Sequence, residues 1–318
     1  MEIIFHSIQS VISIGIMLGM GLVISLRGWI DDGGAKLISS LVTKISLPCM
    51  VLLNITNSFT RENFLLLFHE LLIPVLSVVI SYYIGSAVCR LRNIPKGRRA
   101  IFKSMFYVSN CMYIGLPLNI ALFGEDSSVY VFEYFIANTT ALWCVAVYQA
   151  AAEGSGCAAQ IGVLDTLKKI IFSPLIGLIT AAVVIALGLK IPAVLKSTLG
   201  YIGGMTTPLA MIFVGFALSK TKISELKMDA DMLIAHIGRF VIGPVSIFCL
   251  SMLIPTNPMQ FKVLVMQSAA PVAVALPVIA ATYGLDVKYA AILTSASTFF
   301  FMFVVPAYMW LLYVYFNS

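Results

Sequence analysis

Ser109-Asn110-Cys111-Met112-Tyr113-Ile114-Gly115-Leu116-Pro117 lies in the middle of an apolar run from Ala100 to Phe123. A membrane-spanning helix needs about 20 predominantly apolar residues, and this run is long enough. Pro117 has no amide hydrogen to donate, and its ring clashes with the carbonyl four residues back. The spacing therefore predicts a spanning helix that bends or breaks at Gly-Leu-Pro. In lipid, a broken helix persists only where its freed backbone groups face protein, water or a ligand. The side chain of Asn110, seven residues before the proline, becomes a candidate ligand at that break.

The same pattern returns 160 residues later. Leu116-Pro117-Leu118-Asn119-Ile120-Ala121-Leu122-Phe123-Gly124-Glu125-Asp126 aligns without gaps on Leu276-Pro277-Val278-Ile279-Ala280-Ala281-Thr282-Tyr283-Gly284-Leu285-Asp286. The same offset sets Pro48 on Pro208. Apolar composition alone does not align prolines, so the chain reads as two repeats, 1–155 and 156–318, each with an interrupted helix. Paired interruptions of this kind are the best sequence pointer to a transporter's binding site.

Composition agrees with a membrane protein. Hydrophobic residues make up 60% of the chain and charged ones 11%, with a mean hydropathy of +0.99. The runs do not alternate polar with apolar as barrel strands do, so an all-α membrane protein is expected. The net charge of +6 does not point to nucleic acid, because the basic residues cluster in loops between apolar runs. Six cysteines are scattered without metal or disulfide spacing, so no cofactor or metal is expected, and apolar packing accounts for them. The N-terminus lacks the basic start and cleavage site of a signal peptide.

Ten apolar spans are expected, at about 7–26, 36–55, 63–89, 100–123, 128–152, 169–189, 196–218, 230–254, 259–284 and 288–316. Placing the loop with Arg90, Arg92, Lys96, Arg98, Arg99 and Lys103 in the cytoplasm puts fourteen Lys and Arg residues inside and four outside. The outer four are Arg61, Lys190, Lys196 and Lys262, and both termini then lie outside. Five spans per repeat is odd, so the two repeats are expected in opposite orientations. Gly15-x-x-x-Gly19 in span 1 is expected to serve close helix packing.

Charged groups inside a membrane are costly and usually functional. Lys44, Glu70, Glu133 and Arg239 compete for that role. Arg239 is too deep to snorkel; Lys44 serves either function or anchoring; Glu133 is near enough to the outer surface to be solvated. Glu70 either binds a proton or pairs with a base such as Arg239 or Lys44. His69 and His236 read as structural histidines. The chain carries no Walker lysine loop, no dinucleotide fingerprint, no His-Glu-x-x-His and no Cys-x-x-Cys, so it is not expected to be an enzyme or an ATP-driven pump.

Ser109-Asn110 with Gly115-Leu116-Pro117, and Ala269-Ala270-Pro271 running to Leu276-Pro277, resemble the auxin efflux carrier family over essentially the whole chain. That family belongs to the wider superfamily that includes the bile acid:sodium symporters. The resemblance implies ten helices as a five-plus-five inverted repeat, with broken helices 4 and 9 crossing. It further implies a scaffold (1–60 and 167–220) and a transport domain (61–155 and 228–318) that moves as an elevator, with two copies joined through the scaffold helices. A small organic anion, a carboxylate or dicarboxylate such as malate, is the implied substrate. Asn110 matches the family's substrate-binding asparagine, Asn138 or Thr139 a polar position of span 5, and Glu70 an acid of span 3 linked to protonation. The expected substrate site is then Asn110, Cys111, Gly115, Pro117, Asn138, Thr139, Pro271, Ala273, Pro277 and Arg239. The chain departs from many relatives at Val272-Ala273-Val274-Ala275, where they carry a polar residue. A plasma-membrane location, in a bacterial inner membrane, is implied. The alternatives are sodium-coupled symport and a membrane sensor.

Overall fold

The computed structural model describes residues 2–59, 70–154, 175–220 and 228–317. All regular structure among them is helical. The first eight helices are α1 (Glu2–Leu26), α2 (Asp32–Leu41), α3 (Leu47–Ser58), α4 (Leu72–Leu91), α5 (Arg99–Tyr107), α6 (Leu116–Phe123), α7 (Ser128–Thr140) and α8 (Val147–Glu153). The rest are α9 (Leu175–Ala186), α10 (Ala193–Gly204), α11 (Thr206–Ser219), α12 (Ala230–Ile237), α13 (Gly243–Leu253), α14 (Pro258–Ser268), α15 (Leu276–Thr282) and α16 (Val287–Asn317). Arg61, His69, Cys157, Lys168, Lys169, Lys222 and Lys227 lie outside the described residues, as do the expected boundaries at 60/61, 155/156 and 167.

Six helical stretches among the described residues are long and apolar enough to cross a membrane: Asp32–Asn57, Leu72–Leu91, Glu125–Glu153, Ala193–Ser219, Ala230–Leu253 and Val287–Phe316. Of the other expected spans, 7–26 lies within the continuous 25-residue α1, Cys111–Phe123 is a shorter apolar helix, the described part of 169–189 is helical over Leu175–Ala186, and 259–284 is divided between α14 and α15.

Proline shapes these helices, though not where the sequence places the break. Wide π turns at Val42–Ser46, Cys111–Gly115 and Gly238–Ile242 each end two residues before a proline: Pro48, Pro117 and Pro244. A turn with one extra residue opens the ladder where a proline can neither donate nor tolerate the carbonyl behind it. The helix therefore continues through Pro117. The interruption falls earlier, at Val108–Asn110, where Val108 is extended and Asn110 adopts φ −83°, ψ 58°. The second interruption spans Ala269–Ala275 and contains Pro271, while Pro277 sits in the first turn of α15.

Two sets of helices pack closely. In one, α1 lies against α11, and α3 against α9 and α10. A side chain at Gly21 would strike the backbone of Ile212, and one at Gly215 the backbone of Leu18 and Leu22. Gly177 and Gly203 meet the backbones of Pro48 and Met50 in the same way. The expected packing pair of span 1 is thereby corrected. A Cβ on Gly15 would touch only the tip of Met302, and one on Gly19 would meet nothing within 4 Å. Close approach is made one helical face away.

In the second set, α4 packs on α5, α7 and α13, α13 on α14, and α15 on α16. Phe106 is held between Gly85 of α4 and Gly238 before α13. The loops tie this set together at one end. Arg92 pairs with Asp231 at 2.8 Å and Arg98 with Asp286 at 2.7 Å, and the Asp286 amide donates to Gly97. Asp286 also caps α16 by accepting from the Tyr289 amide at 2.9 Å. Partial burial alone would push its carboxyl up, but those hydrogen bonds and the Arg98 guanidinium hold it below the ordinary aspartate range. Glu153 accepts from the amides of Gly97, Arg99 and Ala100, so a carboxylate faces the positive start of α5.

Candidate functional site

The two interruptions meet. Ser109 and Val272 form an antiparallel bridge, and the Asn110 amide donates to the Pro271 carbonyl at 2.6 Å. Broken helices leave donors and acceptors that lipid cannot satisfy, and most of them here find protein partners. Asn138 of α7 pairs with Ser109 at both ends, accepting from its amide at 2.7 Å and donating to its carbonyl at 3.0 Å. The Val272 amide donates to the Ser297 hydroxyl of α16 at 3.2 Å. The Asn110 carbonyl accepts from Gly115 at 3.0 Å, closing the π turn.

Most of the expected substrate residues come together. Asn110, Cys111, Gly115 and Pro117 follow the first break, and Pro271 and Ala273 lie in the second with Pro277 just beyond it. Asn110 is 4% exposed and its amide nitrogen Nδ2 has no hydrogen-bond partner. Asn138 is instead committed to the backbone of the break, with its Nδ2 also 3.2 Å from the Cys111 sulfur. Thr139 is buried beside it.

Arg239 is fully buried on the turn between α12 and α13. Its guanidinium donates to the carbonyls of Ser268 and Met105. These lie at the C-terminal ends of α14 and α5, the two half-helices that stop at the breaks, where the helix dipole is negative. The phenol of Tyr134 lies nearby. No carboxylate lies within ion-pair distance of Arg239 among the described residues, and its Nε is unpartnered.

Glu70 stands apart from the breaks, just before α4, and pairs with neither Arg239 nor Lys44 among the described residues. Lys44 is exposed. The neighbour of Glu70 is Glu133, another carboxyl. Glu133 is 0% exposed, which overturns the expectation that it is solvated. Gln260 of α14 donates to its Oε2 at 3.1 Å, and Oε1 has no donor among the described residues.

Gln267, Tyr134 and Ser297 were not among the expected site residues. Gln267 is fully buried, its Nε2 is 3.4 Å from the Cys111 carbonyl, and its Oε1 would collide with any side chain at Gly115. A polar residue inside an apolar span was the available signal for each. The Nδ1 of His236 is 2.7 Å from the Met232 carbonyl, and its Nε2 is buried without a partner among the described residues.

The same arrangement of sequence recurs in known proteins. A family model described as membrane transport protein matches residues 6–309. An uncharacterised transporter of Methanocaldococcus jannaschii is 26% identical over 308 residues, covering 93% of this chain and 96% of its own. An uncharacterised transporter of Methanothermobacter thermautotrophicus is 22% identical over 291 residues, covering 90% of this chain and 91% of its own. With six helical stretches among the described residues able to cross a membrane and a family match running nearly end to end, this chain is a multi-pass membrane protein of the membrane transport protein family, that of the auxin efflux carriers.

Proposed function

We propose that the chain is a secondary transporter of small organic anions, carboxylates or dicarboxylates, bound between the two breaks. The observation that carries this reading is the unpaired charge of Arg239. A fully buried guanidinium without an acid partner is an uncompensated cost of several kcal/mol, only partly offset by the carbonyls of Ser268 and Met105. A carboxylate arriving at the breaks supplies the missing charge. The unpartnered amide of Asn110 offers it a neutral donor, and the half-helices after the breaks turn their positive ends toward it.

The ten spans form two oppositely oriented repeats in this reading, and helices 4 and 9 cross. The gapless offset of 160 residues and the antiparallel bridge of Ser109 with Val272 support it. The set containing α1, α3 and α9–α11 is the scaffold, and the set around the breaks moves past it as an elevator. Protons drive the cycle through Glu70, whose neighbour Glu133 gives a proton a place to be shared.

Uptake of labelled organic acids into proteoliposomes, under a pH or a sodium gradient, tests both parts. Carboxylate uptake speeded by an inward proton gradient is expected, with the gradient dependence lost in Glu70→Gln. Failure to take up any carboxylate would end the anion reading. Acceleration by sodium alone would end the proton reading and leave the anion one standing.

A further inference from the structure

The basic loop after α4 uses its charges unequally. Arg92 and Arg98 are paired with Asp231, Asp229 and Asp286. Arg90, Arg99 and Lys103 make no ion pair among the described residues. Those three converge on one place, a cleft of about 720 Å³ between the end of α4 and the start of α5, lined also by Tyr82, Tyr83 and Ser86. Cys89 stands in the same wall. The nearby carboxylate of Glu153 accepts from three backbone amides, those of Gly97, Arg99 and Ala100. The Ser86 hydroxyl is buried and unpartnered.

The mouth of the cleft continues into an apolar surface. Val75, Val79, Tyr83 and Leu91 are exposed along α4, the first three one turn apart, with Tyr83 67% and Leu91 80% exposed. A cationic cleft with a phenol at its lip, at the end of an exposed apolar helix face, matches an amphiphile with an anionic head and a hydrocarbon tail. Basic residues of this kind sit at the cytoplasmic membrane boundary, where anionic lipid headgroups are found. We propose that this cleft binds the phosphate of an anionic phospholipid headgroup, held by Arg90, Arg99 and Lys103, with an acyl chain along the Val75–Val79–Tyr83 face. The site is separate from the breaks and from Glu70.

The test uses the full-length protein in detergent and in nanodiscs of phosphatidylcholine with or without phosphatidylglycerol. Native mass spectrometry is expected to show phosphatidylglycerol retained and phosphatidylcholine lost. In Arg90→Gln/Lys103→Gln, retention should fall about twenty-five-fold, from roughly a five-fold loss for each charge removed. The melting temperature of that variant without lipid reports whether it is folded. If it is not, Lys103→Gln alone should weaken retention about five-fold, while Arg90→Lys should keep it. Equal retention of both lipids, or undiminished phosphatidylglycerol binding by a folded charge-removed variant, overturns the proposal. So does stabilisation by inorganic phosphate with none by phosphatidylglycerol, since that assigns the cleft to a soluble anion.

Discussion

Two asparagines at the first break do different work, and the difference is measurable. Asn138 replaces the backbone partners that Ser109 loses where the helix stops, accepting from its amide and donating to its carbonyl. Replacing it with Leu strands two buried backbone groups, each at about 1–3 kcal/mol. Asn138→Leu should therefore lower the melting temperature of the detergent-solubilised protein sharply, whatever its transport activity. Asn110 has an unpartnered Nδ2, so its truncation breaks no side-chain donor bond. Asn110→Ala should keep the melting temperature and weaken substrate affinity about ten-fold or more, the worth of a hydrogen bond to a charged group. A melting temperature lowered as far as that of Asn138→Leu would make Asn110 structural too. The sequence showed Asn110 because it stands beside Gly-Leu-Pro. It could not show Asn138 as a clamp, because the groups it holds are backbone atoms 29 residues away. Glu133 was misread for a related reason. Its closeness to a helix end suggested water, but Glu70 and Gln260, distant in sequence, cover it.

At the scale of helices, the prolines told that the ladder was disturbed but not how. Pro48, Pro117 and Pro244 are each absorbed by a π turn, and the helices run on. The true interruptions fall where neighbouring chain can replace the lost hydrogen bonds, and single-sequence reading has no access to that neighbour. The glycines show the same limit. The spacing of Gly15 and Gly19 signals a small-residue face, yet contact depends on how α1 is rotated about its axis. Gly21 and Gly215 are the positions where backbones touch. Gly215→Val should lower the melting temperature, with an overpacking cost of about 1–3 kcal/mol, while Gly19→Ala should leave it unchanged. Equal effects of the two substitutions would show that α1 and α11 do not pack as described.

Across the whole molecule, what the sequence made legible was helical class, membrane character and the doubled pattern of interruptions. Which helices pack into one set came only from the family resemblance, because it depends on contacts between distant segments. Two sets of contacts make it testable. The loop cluster around Asp286 joins α5 to α16, and its strength depends on pH. The Asp286 carboxyl is held below the ordinary 3.8 in the folded chain, so folding favours its ionised form. Its contribution is complete above the unfolded value and is lost as the pH falls through the folded one. Acid unfolding of the solubilised protein should be less steep below about pH 4 in Asp286→Asn. The elevator reading makes a stronger demand, that bonds within a set survive transport while bonds between sets do not. Ser77 of α4 and Ser246 of α13 touch at 2.6 Å, both in the set around the breaks. Ser25 of α1 and Ser219 of α11 touch at 2.6 Å in the other. Hydroxyls in contact place their Cβ atoms near the roughly 4 Å separation a disulfide needs. Asn54 of α3 donates to Ser128 of α7 at 3.0 Å, from one set to the other. In a background free of other cysteines, the pairs S77C/S246C and S25C/S219C should oxidise and still transport. The pair N54C/S128C, bridged by mercury to span its greater reach, should stop transport until a thiol removes the metal. Undiminished transport by the bridged Asn54–Ser128 pair would mean that α3 and α7 do not slide past each other, and the cycle would then need a movement other than an elevator.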